Sequence, residues 1–356
     1  MNLVRPFRSR LVRQGRTTGG VTPMVESPVP DRLLVNIDTD AYDEATDSMY
    51  VYRQQRGADV HVGVVCDVHH EAFDNGQVRG HESVRPDRVE ALMRYFATAP
   101  ARPELVALLH HAGPVVTEAM ADTSHTPPAL RFSGPDGLEQ TVWRLPADLA
   151  TALSVELSGA IHYLADGHHR VAASLALWRS AGGPDDAGLP CVVYPMDGLR
   201  LSAFHRRVTG PVDPERLLDL VAACSDVREV AGPETGPGGF GLYVAQRWFR
   251  ASFGSGSRES PDTLDVAVLH DRVLSPLTEA SRPPSAVVPV RAPLTELMSA
   301  CDGDDGALFT LSPPALDVLT TIADRGDVMP LKTTYFQPKP YAGIFLRPGE
   351  GDGECH

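Results

Sequence analysis

At 356 residues the chain is long for one small core, so one large or two medium domains are expected. Hydrophobic residues make up 42% and charged residues 22%, the balance of a folded globular protein. A formal net charge of −14 argues against the basic face that non-specific DNA or membrane-surface binding needs, yet a few local arginines are enough for a phosphate.

Arg5, Arg8, Arg10, Arg13 and Arg16 make the start of the chain basic. No apolar run follows them, so no signal peptide is expected. Nothing approaches the roughly 18 apolar residues of a membrane span. The five cysteines (66, 191, 224, 301 and 355) are odd in number and lack a C-x-x-C pair. That is the usage of a reducing cytoplasm, which is the expected location.

Residues 17–31 lack periodicity and read as a loop or lid. His61–Val68 reads as a strand, followed by a turn at Asp74-Asn-Gly76. Pro86 suits the first turn of a helix whose apolar face is Val89, Leu92, Met93 and Phe96, ending near Pro100. Strands are expected at Leu105–His110 and Thr141–Leu145. A helix is expected after Gly167, with Val171, Leu175 and Trp178 on its buried side. Cys191–Tyr194 and Leu201–Val208 read as a strand pair around the Met196-Asp-Gly198 turn. Residues 179–189 and 231–239 are Gly/Pro-rich breaks, and 254–262 reads as a flexible surface loop. Gly238–Gly241 has neither P-loop nor Rossmann spacing and is expected to be a turn before a strand at Leu242–Val244. A mostly helical pattern covers Leu264–Leu274, and a last strand is expected at Ala342–Leu346. Strands and helices mix without the alternation of a doubly wound sheet, which predicts a mixed α/β, α+β fold.

Three clusters carry chemistry. In Asp166-Gly-His-His-Arg170 a strand meets a helix at a glycine that lets a ligand approach the backbone. The helix start attracts anions, and Arg170 can fork onto phosphate oxygens. Asp166 could hold a metal ion or accept a proton. The second cluster is Arg79-Gly-His-Glu-Ser-Val-Arg-Pro-Asp-Arg88, where Glu82 precedes a helix and has Arg85 and Arg88 nearby. Such a carboxylate suits a general base or a metal. The third is Lys332-Thr-Thr-Tyr-Phe-Gln-Pro-Lys339, an irregular segment with two lysines that could close over a phosphate. His69-His70 and His110-His111 do not read as zinc sites, because neighbours on a strand face opposite ways and zinc needs three or four converging ligands.

These features occur in an order that resembles the family catalogued as domain of unknown function ten-fifteen. The marks are Val4-Arg-Pro-Phe7, Val51-Tyr-Arg-Gln54, Gly80-His-Glu82, Tyr163-Leu-Ala-Asp-Gly-His-His-Arg170, Gly239-Phe-Gly-Leu-Tyr243, Leu264-Asp-Val266 and Pro330–Lys339. Its core in turn resembles the ParB/sulfiredoxin superfamily, which includes free serine kinases with a similar Asp-Gly-His-x-Arg turn and an upstream His-Glu. His168 stands where a sulfiredoxin carries cysteine, so sulfiredoxin chemistry is not implied.

The resemblance implies a nucleotide-binding core at about 76–195 within an N-terminal region 1–200. A C-terminal α+β region, 201–356, is expected to return its end to the active site. It implies an ATP- or ADP-dependent phosphotransferase acting on the hydroxyl of a small metabolite, free serine or a serine-like amino acid first. Glu82 matches the general base, with Asp166 and His168 as further catalytic groups. Gly167, His169, Arg170, Arg85, Arg88 and Lys332 would hold phosphate, His81, Thr333 and Tyr335 the substrate, and Asp166 a Mg²⁺ ion. A CTP- or ATP-binding switch like ParB and a metal-dependent phosphoesterase are the alternatives. Neither nucleic acid nor membrane is an expected partner, and a homodimer is left open.

Overall fold

The computed structural model describes residues 2–17, 22–23, 38–98, 101–102, 104–122, 125–254, 260–280 and 286–348. Most of the 17–31 loop and most of 254–262 lie outside the described residues. The chain forms two compact units. The first comprises Met1–Gly80, Val84–Arg200 and Phe336–His356, the second His81–Ser83 and Leu201–Tyr335. The fold is α+β. No helix among the described residues is long and apolar enough to cross a membrane.

In the first unit a mixed nine-stranded sheet is built on Asp59–His69 and Gly188–Pro195, which pair antiparallel from Gly188↔His69 to Val193↔Val64. Val64, Val65, Cys66 and Val68 are buried on one strand, and Cys191, Val192 and Val193 on the other. Each aliphatic side chain so buried contributes about 1.5–3 kcal/mol. These continuous apolar runs mark strands covered on both faces.

Beyond Gly188–Pro195 the sheet continues through Val106–His110 (parallel), His162–Asp166 (antiparallel) and Val78–Arg79 (parallel). Both edges of Gly188–Pro195 are therefore occupied. The expected pairing of Cys191–Tyr194 with 201–208 does not form, although Arg200–Ala203 and His205–Thr209 are strands. Nearness along the chain favours a hairpin, but Asp59–His69 and Val106–His110, from earlier in the sequence, occupy both edges.

The expected helix runs from Pro86 to Thr98. His69 closes a strand, and its Nδ1 accepts the Glu71 N–H (3.1 Å), capping the short His70–Asp74 helix. The two histidines thus straddle a strand-to-helix junction rather than alternate along a strand. His110 is buried beside His162, its cross-strand partner. Burial, with His162 and His111 nearby, pushes the pKa of His110 down to about 4. No group of three or more potential metal ligands occurs among the described residues.

A four-stranded sheet, Thr46–Ser48, Phe7–Leu11, Phe345–Pro348 and Ala101–Arg102, brings distant parts of the chain together in the first unit, with Arg10 opposite Leu346. A buried carboxylate reinforces this. Asp67 accepts from Arg5 Nε at 3.1 Å and from Arg347 Nη1 at 2.6 Å.

The second unit is organised by an antiparallel six-stranded sheet in the order Asp226–Val230, Arg247–Ser252, Gly239–Val244, Ala307–Thr310, His205–Thr209, Ala286–Val290. Gly239–Gly241 lies inside the strand Gly239–Val244 rather than in a turn, so the strand starts three residues earlier than the expected Leu242.

Candidate functional site

The Asp166–Arg170 turn is shaped by two irregularities. The first is a register break between His162–Asp166 and Val106–His110. Leu164 faces Leu108 and Asp166 faces Ala107, so Ala165 is an inserted residue. Such a bulge bends the strand and re-aims the side chain that follows. The second is Gly167, at φ 106° and ψ 18°, a left-handed conformation. It starts the helix His168–Ser180, whose N-terminus has no side-chain cap. Val171, Ala173 and Ser174 anchor that helix in the interior.

A Cβ at Gly167 would lie 3.1 Å from Arg170 Nη2 and 3.3 Å from Val106 Cγ2. Gly167→Ala adds this crowding to the cost of a positive φ. The variant is expected to lose about 1–3 kcal/mol of stability, checked by thermal or denaturant unfolding.

Asp166 is the hub of the turn. Its Oδ2 accepts from Arg170 Nη2 at 2.8 Å, and its Oδ1 is ion-paired with Lys339 Nζ. The side chains are 22% (Asp166), 12% (Arg170) and 11% (Lys339) exposed, so water screens this cluster weakly. Burial raises the Asp166 pKa, but Lys339, Arg170 and the nearby His168 outweigh it and hold the carboxyl below its ordinary value. Arg170 is braced inward as well, with Nη1 donating to the Leu105 carbonyl at 2.7 Å.

Lys339 is fixed through its backbone. Gln54 Nε2 donates to the Lys339 carbonyl at 3.0 Å, and Gln54 Oε1 accepts from the Tyr194 hydroxyl at 3.1 Å. The Val51-Tyr-Arg-Gln54 motif thus acquires a physical role. These residues do not fit Asp166 as a magnesium ligand, since each of its oxygens already faces a cation.

The neighbouring histidines differ. His169 Nε2 accepts the Arg85 backbone N–H at 3.0 Å. An amide can only donate there, so this bond uses the lone pair of Nε2. The His168 ring approaches Gly80, where a Cβ would stand 3.5 Å from His168 Cδ2. Arg85 is exposed and forks onto Asp87 at 3.2 and 2.6 Å. Arg88 is half-buried on the helix that follows.

The remaining candidates lie in the second unit. His81 is buried, with its Nε2 3.0 Å from the Thr334 hydroxyl, and its carbonyl accepts the Met329 N–H at 2.8 Å. Glu82, beside it, forms a parallel bridge with Met329. Thr333 donates to the Pro330 carbonyl at 2.6 Å. Tyr335 is buried under the Arg291 guanidinium, 3.5 Å from its ring centroid. Lys332 sits at φ 59° with Nζ 5.2 Å from the Phe204 ring, and Arg206 clasps the Leu331 and Lys332 carbonyls at 3.2 and 3.1 Å. Instead of an irregular segment, Thr334–Gln337 forms a strand.

The expected site residues thus fall into two groups. Gly167, His168, His169, Arg170, Arg85 and Arg88 accompany Asp166 in the first unit, and His81, Glu82, Lys332, Thr333 and Tyr335 belong to the second. Sequence reasoning assigned no role to Arg206 or Arg291, and offered Lys339 only as one of two lysines that could close over a phosphate. A lysine pair was visible at 332 and 339, but nothing local says which one meets a carboxylate 173 positions away.

A family described as Protein of unknown function (DUF1015) matches residues 38–267. No curated protein matches the sequence. Among solved structures, a free serine kinase variant in complex with AMP is similar at 14% identity, covering 79% of this chain and 92% of that one, with a TM-score of 0.41. A conserved hypothetical protein from Pyrococcus furiosus is similar at 15% identity, covering 80% and 93%, with a TM-score of 0.40. C-terminally truncated SbnI from Staphylococcus aureus is similar at 11% identity, covering 78% and 85%, with a TM-score of 0.42.

Proposed function

The chain belongs to the DUF1015 family, and from that premise we propose that it is a nucleotide-dependent phosphotransferase acting on a hydroxyl of a small metabolite. The observation that carries this reading is the turn at 166–170. A left-handed glycine opens an uncapped helix N-terminus, and two basic side chains, Arg170 and Lys339, converge on its one carboxylate. An uncapped helix start with cations beside it is a physical seat for nucleotide phosphates.

In this reading the first unit carries a ParB/sulfiredoxin-like core. ATP or ADP places its terminal phosphate at the helix start. Lys339 supplies positive charge there, while Arg170, braced by Leu105 and Asp166, keeps the turn in shape. The acceptor is serine or a serine-like amino acid. Its hydroxyl oxygen forms the new bond to phosphorus as the bond to the nucleotide leaving group breaks, and Glu82 takes the hydroxyl proton. Phosphoryl transfer relies mainly on positioning and charge stabilisation, so this small set of groups is chemically adequate. Asp166 serves as an anchor for cations rather than as the proton acceptor, because a carboxyl whose pKa is pulled below its ordinary value by Lys339 and Arg170 is a weak base.

The test is a thermal-shift series with ATP, ADP and CTP, each with and without Mg²⁺, followed by mass spectrometry of amino acids incubated with the best binder. A raised Tm with one adenine nucleotide and a phosphorylated serine-like product are expected. Nucleotide hydrolysis without a phosphorylated metabolite would convert the reading to a ParB-like switch. Phosphate release from a monoester without nucleotide would convert it to a phosphoesterase. If no nucleotide raises Tm, the reading fails.

A further inference from the structure

The second unit carries a cavity of about 140 Å³. Its walls are mainly apolar and include Phe204, Leu264, Val266, Leu311 and Val318. Pro237, Pro313 and Pro314 complete them. Proline rings have a fixed φ and little freedom to collapse inward, so these walls hold an open space at low entropic cost. An apolar cavity of roughly 150 Å³ is large enough to bind benzene.

The polar lining decides what else the occupant needs. Thr333 has committed its hydroxyl proton to the Pro330 carbonyl at 2.6 Å, which leaves only lone pairs to offer. Asp265 Oδ2 accepts the Gly238 N–H at 2.9 Å, and its charge is felt by the Arg250 guanidinium. Both side chains are acceptors, and Ser312, the third hydrogen-bonding side chain, can turn its hydroxyl either way. A ligand that donates is matched here. A carboxylate or phosphate would have to shed its hydration against mainly apolar walls.

We infer that this cavity is a binding site for a small apolar molecule of about benzene size that carries one hydroxyl or amine donor. The inference concerns the second unit alone and does not rest on nucleotide binding at the 166–170 turn.

Ligand-observed NMR on the full chain tests it, with phenol, benzylamine and benzoate as probes of equal bulk and different polar ends. Phenol and benzylamine are expected to bind at millimolar concentration and benzoate is not. In the unaltered chain, intermolecular NOEs should connect phenol to the methyls of Val318 and Leu311. Filling the space with Val318→Phe should weaken phenol at least about tenfold. Ala203→Leu, from another part of the lining, repeats the test should the first variant fail to fold. Three results overturn the inference: no binding of phenol or benzylamine, benzoate binding as tightly as phenol, or phenol binding without NOEs to these methyls and undiminished in the filled variants.

Discussion

Replacing Asp166 with alanine is expected to lower the unfolding free energy by about 3–5 kcal/mol, the range for removing one partner of a buried ion pair. Arg170 and Lys339 would both lose their carboxylate while only 12% and 11% exposed. Neither can recover full hydration without moving. For a domain of this size that loss lowers Tm by about 6–20 °C. Asp166→Ala combined with Lys339→Met should recover part of it, because the stranded charge goes with the lysine.

The same carboxylate sets a pH dependence. Its pKa is depressed in the folded state, so its contribution is fully present above the ordinary Asp value and is lost as pH falls through the depressed one. Thermal unfolding of the unaltered chain and of Asp166→Ala should differ most near neutrality and converge in acid. Equal Tm values at neutral pH would sink the ion-pair account.

Glu82→Gln is expected to reduce turnover of the phosphoryl-transfer reaction about 10²–10⁴-fold, the usual contribution of a positioned general base. Glutamine keeps the size and a hydrogen-bonding end but cannot accept the hydroxyl proton. The nucleotide-induced rise in Tm should therefore survive while kcat collapses. Lys339→Ala should show the converse, a smaller nucleotide-induced rise measured against its own apo Tm. Undiminished kcat in Glu82→Gln would remove Glu82 from the base role while leaving the nucleotide seat intact.

Much of the first unit's framework was legible from local pattern. The apolar run His61–Val68 lies within the strand Asp59–His69, Pro86 begins its helix, and Gly167 marks a strand-to-helix turn. Each of these depends on near neighbours in sequence: a period, a ring with fixed φ, a residue without Cβ. The bulge at Ala165 was not legible, because it is defined by where the opposite strand falls. Nor was the partnership of Asp166 with Lys339, or the work of Gln54 in fixing that lysine. Both depend on three-dimensional proximity, which spacing along a chain does not encode. The false hairpin after Cys191 has the same origin, since sheet edges are contested by strands from anywhere in the sequence.

The strand Phe345–Pro348 has a consequence for how the protein is made. It pairs with Phe7–Leu11, and Arg347 and Lys339 supply cations to Asp67 and Asp166. The ribosome releases these groups only after the whole of Leu201–Tyr335 has been synthesised. At typical translation speeds this interval is on the order of ten seconds. During it the nascent first unit must persist with an open sheet edge and two incompletely neutralised acids. Chaperone dependence during synthesis should accordingly fall on the first unit, although it is begun first.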